Sequence, residues 1–190
     1  MVNNHNAVER FLDTLASAEP TPGGGAAAAL SGAMGCALAA MAVGTTLKRK
    51  NLAPEVRANL EKSIGRLHSF RSELQGYIQQ DAEAYAGYLT AVKLPKELPA
   101  REQAMQDALW FASQVPANAA KAALCCLREV DSVKENVAPV IMADVFCARH
   151  LLQACIKCAV ENIRANLVYI KNTDKTAELE KQISTFLKSC

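Results

Sequence analysis

The sequence predicts an all-α bundle of long helices, and three observations carry that prediction. Two apolar stripes persist for roughly thirty residues each with spacings of four and three, the rhythm of a helix seam packed on its neighbours. A stretch of small residues between Glu19 and Lys48 carries no charge. No run of alternating apolar and polar residues competes as a strand, and no long-period repeat is visible. A length of 190 residues fits one domain, 1–190, with enough chain to bury a sizeable core. That core is aliphatic, because 51% of the residues are hydrophobic but only 5% aromatic. A net charge of +2, with no basic run beyond Lys48-Arg49-Lys50, leaves no electrostatic footprint for nucleic acid. Met1 to Asp13 is polar and carries Glu9 and Asp13, so no signal peptide is read there and a cytoplasmic location is expected.

The elements follow in order. Asn4 to Ala18 places Val8, Phe11, Leu12 and Leu15 on one face of a short amphipathic helix. Pro20 and Pro22 then break the chain, and Gly23, Gly24 and Gly25 open a helix of small residues with bare amides at its start. Such a start suits a carboxylate or phosphate; equally, a glycine turn can simply let two helices approach. The uncharged helix has the length of a membrane span. Its Ala and Gly content contributes little to insertion, however, so it reads as the buried central helix of a soluble protein.

Pro54 suits the first turn of the next helix. Its stripe is Leu60, Ile64, Leu67, Arg71, Leu74, Ile78, Asp81, Tyr85, Tyr88 and Val92. Arg71 can carry its head to solvent on a long stem. Asp81 is too short for that, and a buried carboxylate must be paired, hydrogen-bonded or protonated. After Pro95 and Pro99, a helix from about Ala100 to Arg128 contains Pro116, which should kink or divide it. Pro139 opens another long helix reaching about Tyr169, with the stripe Val137, Ile141, Asp144, Ala148, Leu151, Cys155, Cys158, Asn162, Ala165 and Tyr169. Asp144 is thus a second carboxylate on a seam, and the two are expected to share one polar pocket. Thr176 to Leu187 forms a final amphipathic helix.

Seven cysteines in such a chain read as reduced thiols packed as small hydrophobes. Cys155-Ile156-Lys157-Cys158 has CxxC spacing but lies mid-helix without a second pair. Cys147 and His150, one turn apart, could hold one edge of a metal site, but packing is the expected role for most of these positions.

PTPGGGAAAAL at Pro20 to Leu30, DAEAYAGYLTAVKLPK at Asp81 to Lys96, Pro116, and MADVFCARHLLQACIKCAVENIRANL at Met142 to Leu167 occur in an order and spacing that resemble a known family. It is the formiminotetrahydrofolate cyclodeaminase and methenyltetrahydrofolate cyclohydrolase family, and the resemblance covers nearly the whole chain. It implies an up-and-down antiparallel helical bundle that forms homodimers and binds a tetrahydrofolate derivative as substrate. By motif match, Asp81 falls on the family's acidic residue in its third segment and Asp144 on the Asp of a Ser-Asp pair. Asn162 and Asn166 fall on its paired asparagines. The chain departs from the family where Ala26 replaces a small hydroxyl residue and Ala143 the Ser of Ser-Asp. Together with the helix start, the resemblance places an anionic part of the folate near Gly23, Gly24 and Gly25, assisted by Lys48 or Lys50.

In the cyclodeaminase reaction N10 of tetrahydrofolate attacks the formimino carbon on N5 and ammonia leaves. One group must take the N10 proton and one must protonate the amine, roles that two unlike carboxylates, Asp81 and Asp144, could divide. Hydrolysis of the methenyl bridge needs only a base that aims water. Neither reaction calls on a metal, a nucleotide or a covalent nucleophile, and the sequence shows no motif for them. The expected activity is the cyclodeaminase, with the cyclohydrolase as alternative on the same site. A non-catalytic folate-binding or dimeric scaffold is the competing class. Neither nucleic acid nor membrane is expected as a partner.

Overall fold

The computed structural model describes residues 4–190, so the first three residues of the polar start lie outside it. Among the described residues there are six α-helices, two short 3-10 turns and no strand. The helices are α1 (Asn4–Ala16), α2 (Gly24–Leu47), α3 (Pro54–Val92), α4 (Arg101–Val133), α5 (Met142–Leu167) and α6 (Thr173–Lys188). The all-α expectation holds, and the order of contacts makes it an up-and-down bundle of α2, α3, α4 and α5. Gly25 of α2 faces Asp81 of α3 while Gly44 faces Ile64, so these neighbours are antiparallel. Gly24 faces Asn162 of α5 while Gly35 faces Leu152, so that pair is antiparallel too. Arg66 pairs with Glu129 at 2.7 Å across α3 and α4. Across α4 and α5, Asn166 meets Ala112 at one end and Arg149 meets Asp131 at the other.

The small-residue composition of α2 determines how closely it can be packed. A methyl group on Gly32 would lie 2.8 Å from the Cys155 sulfur, and one on Gly35 would lie 2.9 Å from the Ala148 carbonyl oxygen. Only glycine lets the α2 and α5 backbones come this near. By length and composition α2 and the segment Pro139–Leu167 could cross a membrane, but α2 packs at a corner of the bundle with one face buried against α3, α4 and α5. Leu60, Leu67 and Leu74 of the α3 stripe are fully buried beside Leu152, Ile156 and Ile163, giving the aliphatic core that the composition implies.

Two elements differ from expectation. The buried face of α5 is Val145, Ala148, Leu152, Cys155, Ile156, Ala159, Val160 and Ile163, rotated by about one position from the predicted stripe. The reason is that α5 packs against α2, α4 and α6 at once, so its buried face is wide and the predicted stripe traces one edge of it. Cys158, Ala165 and Tyr169 are consequently exposed, and Asp144 is only half-buried. The second difference is Pro116, which lies within a single uninterrupted α4. Its missing N–H leaves the Ala112 carbonyl without a helical partner, and the Asn166 side-chain amide donates to that oxygen at 3.2 Å.

Among the ends, Asn172 caps α6 by accepting the Lys175 N–H at 3.0 Å. Thr46 fastens the far end of α2 by accepting the Ala138 N–H at 3.0 Å. Helix α1 stands apart, its Val8 and Leu12 more than half exposed.

Candidate active site

Helix α2 has 24 residues against 39 in α3 and 33 in α4, and it starts level with Asp81 and Asn162. Beyond its first turn the other helices continue without it. The gap is a cavity of about 290 Å³, walled by α3, α4 and α5 and floored by Gly23, Gly24 and Gly25. The glycine triplet, Asp81, Asn162 and Asn166 all line it, so most of the residues singled out in the sequence come together.

Among the described residues, Asp81 is the only carboxylate in the lining, which contains no lysine, arginine or histidine. The Ala26 N–H donates to its Oδ2 at 3.0 Å, so the side chain caps α2 from a neighbouring helix. At Gly25 a methyl group would run into the Asp81 carboxylate, so glycine is what lets that side chain sit against the start of α2. Burial pushes the Asp81 carboxyl above its ordinary range; the Ala26 hydrogen bond works in the opposite direction and does not cancel it. The result is a carboxyl group that holds its proton more tightly than a free aspartate does. The amides of Gly24 and Gly25 have no hydrogen-bond partner among the described residues, leaving two donors at the positive end of the helix.

Asn162 donates its side-chain amide to the Cys158 carbonyl at 2.8 Å, an arrangement that fixes the side chain and leaves its oxygen free to accept. Asn166 is held by Ala112 as described, which ties the helix proline to the wall of the site. Tyr85, Tyr88 and Tyr169 add aromatic faces. Sequence reasoning placed Tyr85 and Tyr88 on the α3 seam without giving them a role. The available signal was their position one and two turns after Asp81 on the same stripe.

Three expected site residues are elsewhere. Asp144 lies 18 residues before Asn162 on α5, about 27 Å along the helix, and does not line the cavity. The two seam carboxylates therefore do not share a pocket within one chain. Lys48 and Lys50 follow the C-terminus of α2, whereas the glycines sit at its N-terminus, about 36 Å away. The resemblance and the helix start placed these lysines beside the glycines, but within one chain a single unbroken helix separates them.

Comparison with known proteins adds the following. A family model described as Formiminotransferase-cyclodeaminase matches residues 7–185. The chain is 36% identical over 189 residues to the methenyltetrahydrofolate cyclohydrolase of Methylorubrum extorquens, covering 94% of this chain and 86% of that protein. It is 29% identical over 190 residues to the formimidoyltransferase-cyclodeaminase of Sus scrofa, covering 97% of this chain but 35% of that protein. The chain thus spans about a third of the length of this larger relative. The crystal structure of formiminotetrahydrofolate cyclodeaminase from Thermotoga maritima superposes with a TM-score of 0.87 at 25% identity, over 96% of this chain and 88% of that one.

Proposed function

The chain belongs to the formiminotransferase-cyclodeaminase family, and on that footing we propose that its cavity binds a reduced folate and makes or breaks the one-carbon bridge between N5 and N10. The observation that carries this is the Asp81 carboxyl, desolvated, held by the Ala26 amide and alone among the titratable acids of the lining apart from tyrosine. A group whose pKa is moved toward neutrality can both take and return a proton.

In the first reading, a cyclodeaminase, N10 attacks the carbon of the protonated N5-formimino group. The Asp81 carboxylate takes the N10 proton as the new bond forms, and the resulting carboxyl delivers it to the amino group. That nitrogen leaves as ammonia and the 5,10-methenyl cation remains, so one carboxylate serves both transfers in turn. Specific observations favour a second reading, hydrolysis of the methenyl bridge. The relative at 36% identity is named for that reaction, and a cavity with one carboxylate suits a step that needs one base aimed at water. There Asp81 takes a proton from water as the oxygen adds to the methenyl carbon and passes it to N5 as that carbon–nitrogen bond opens, while the proton of the new hydroxyl is released to solvent and a formyl group remains on N10.

The Gly24 and Gly25 amides offer donors, and the Asn162 oxygen an acceptor, for the polar edge of a pterin; the tyrosines offer flat apolar surface. Both reactions consist of proton transfers and carbon–nitrogen bond changes, with no step assigned to a metal ion or nucleotide. The protein is further proposed to act as a cytoplasmic homodimer. Purified protein given 5-formiminotetrahydrofolate or 5,10-methenyltetrahydrofolate, with methenyl absorbance followed, separates the readings. Appearance of methenyl identifies the deaminase and accelerated loss the hydrolase. Neither change with folded protein would leave only a binding or scaffold role.

A further inference from the structure

The connection between α5 and α6, residues 168–172, carries an aromatic ring to the wall of the cavity and is tied to α4 by one side-chain amide. Tyr169 lines the cavity although it is 64% exposed, so burial does little to fix it. Gln106, one turn before the lining residue Leu109, does not line the cavity itself. Its Nε2 donates to the Tyr169 carbonyl oxygen at 3.1 Å, and its Oε1 accepts the Lys171 N–H at 2.8 Å. The two bonds flank Ile170, which is buried, so one amide grips the backbone on both sides of an anchored residue. Turned over, that amide would set N–H against N–H and oxygen against oxygen, so the backbone fixes its orientation as well. A second tie to α4 runs from Lys171 Nζ to Glu102 at 2.7 Å, but both side chains are more than half exposed, and such a pair holds little.

We propose that Gln106 is a positioning residue: by pinning the backbone at Tyr169 and Lys171 it holds the Tyr169 ring at the cavity wall for the flat ring of a ligand. A tyrosine on a free connection would have to be ordered when the ligand binds, and that cost would come out of the affinity. Held beforehand, the ring joins Tyr85 and Tyr88 of α3 as a prepared apolar surface. Gln106 acts only through Tyr169, so its loss falls on ligand binding and leaves the proton transfers of Asp81 alone. The identity of the flat ring as the pterin of a reduced folate rests on the function proposed above; the clamp does not.

Two variants test the clamp: Gln106→Ala, which removes the amide, and Gln106→Met, which keeps the length of the side chain but neither bridges nor pairs. Without any ligand, hydrogen exchange at the Lys171 amide should quicken by about tenfold in both, since its acceptor is gone. Unchanged exchange overturns the clamp whatever the ligand proves to be. With the folate that the wild type converts, both variants should raise KM by about fivefold and leave kcat within about twofold. Recovery of the wild-type KM by Gln106→Met would show that bulk alone matters, and a fall in kcat at unchanged KM would show a role other than holding the ring; either overturns the proposal. In a Tyr169→Ala background, Gln106→Ala should change KM by less than about twofold further, because the ring it positions is already missing. The same fivefold loss in both backgrounds overturns the route through Tyr169. If the wild type neither converts nor binds a reduced folate, the folate reading fails instead, and exchange at Lys171 alone decides the clamp.

Discussion

Asp81 is held in two ways that pull against each other, and its behaviour with pH follows from which one prevails. Burial raises its pKa above the unfolded value and the Ala26 hydrogen bond lowers it by less. Between those two pKa values the folded protein binds more protons than the unfolded one, so stability falls as pH rises through that window. Above the unfolded pKa, and so at neutral pH, Asp81 therefore contributes less to stability than it does in acid, and Asp81→Asn, which can still accept the Ala26 N–H, removes the burden. Thermal unfolding should show the variant as stable as the wild type or more so at pH 7, with the difference shrinking toward acid pH. A lower melting temperature at pH 7 would make the carboxylate a structural anchor. The need for a polar partner at Asp81 was legible from its place on an apolar stripe. That its partner would be a backbone amide of α2 was not, because the pairing depends on how α2 and α3 are staggered.

At the scale of the helices, Pro116 and Asn166 form one unit. Asn166→Ala should cost about 1 kcal/mol by leaving the Ala112 carbonyl unpartnered. Pro116→Ala restores an N–H able to reach that carbonyl, so the double variant should cost less than the sum of the singles; additive losses in denaturant unfolding would separate the pair. The glycines divide by what surrounds them. Gly35→Ala should lose about 1–3 kcal/mol, since its methyl group would press on backbone. Gly65 has nothing within 4 Å of an added methyl and sits inside α3, so Gly65→Ala should gain about 0.5–1 kcal/mol. The reverse order of melting temperatures would contradict the packing described for α2 and α5.

How far the sequence could be read at this scale depended on how many neighbours a helix has. The α3 stripe was nearly correct at Leu60, Leu67 and Leu74, because that helix presents one principal face to its neighbours. Helix α5, pressed from three sides, buries so much of its circumference that a four-three stripe fits more than one register. That is how Asp144 came to be read as a seam residue. Lys48 and Lys50 were set beside the glycines by the resemblance, although composition marks α2 as one long helix, which holds its two ends far apart within a chain.

In the whole molecule, the length of α2 relative to its neighbours creates the site, and Asp81 gives it chemistry. The measurement that tests this most directly is single-turnover conversion at the methenyl carbon by wild type and Asp81→Asn, both confirmed folded. The account predicts that wild type forms or consumes 5,10-methenyltetrahydrofolate and that Asp81→Asn is slower by about 10² or more while its melting temperature at pH 7 is maintained. Turnover by Asp81→Asn within a few-fold of wild type would contradict it.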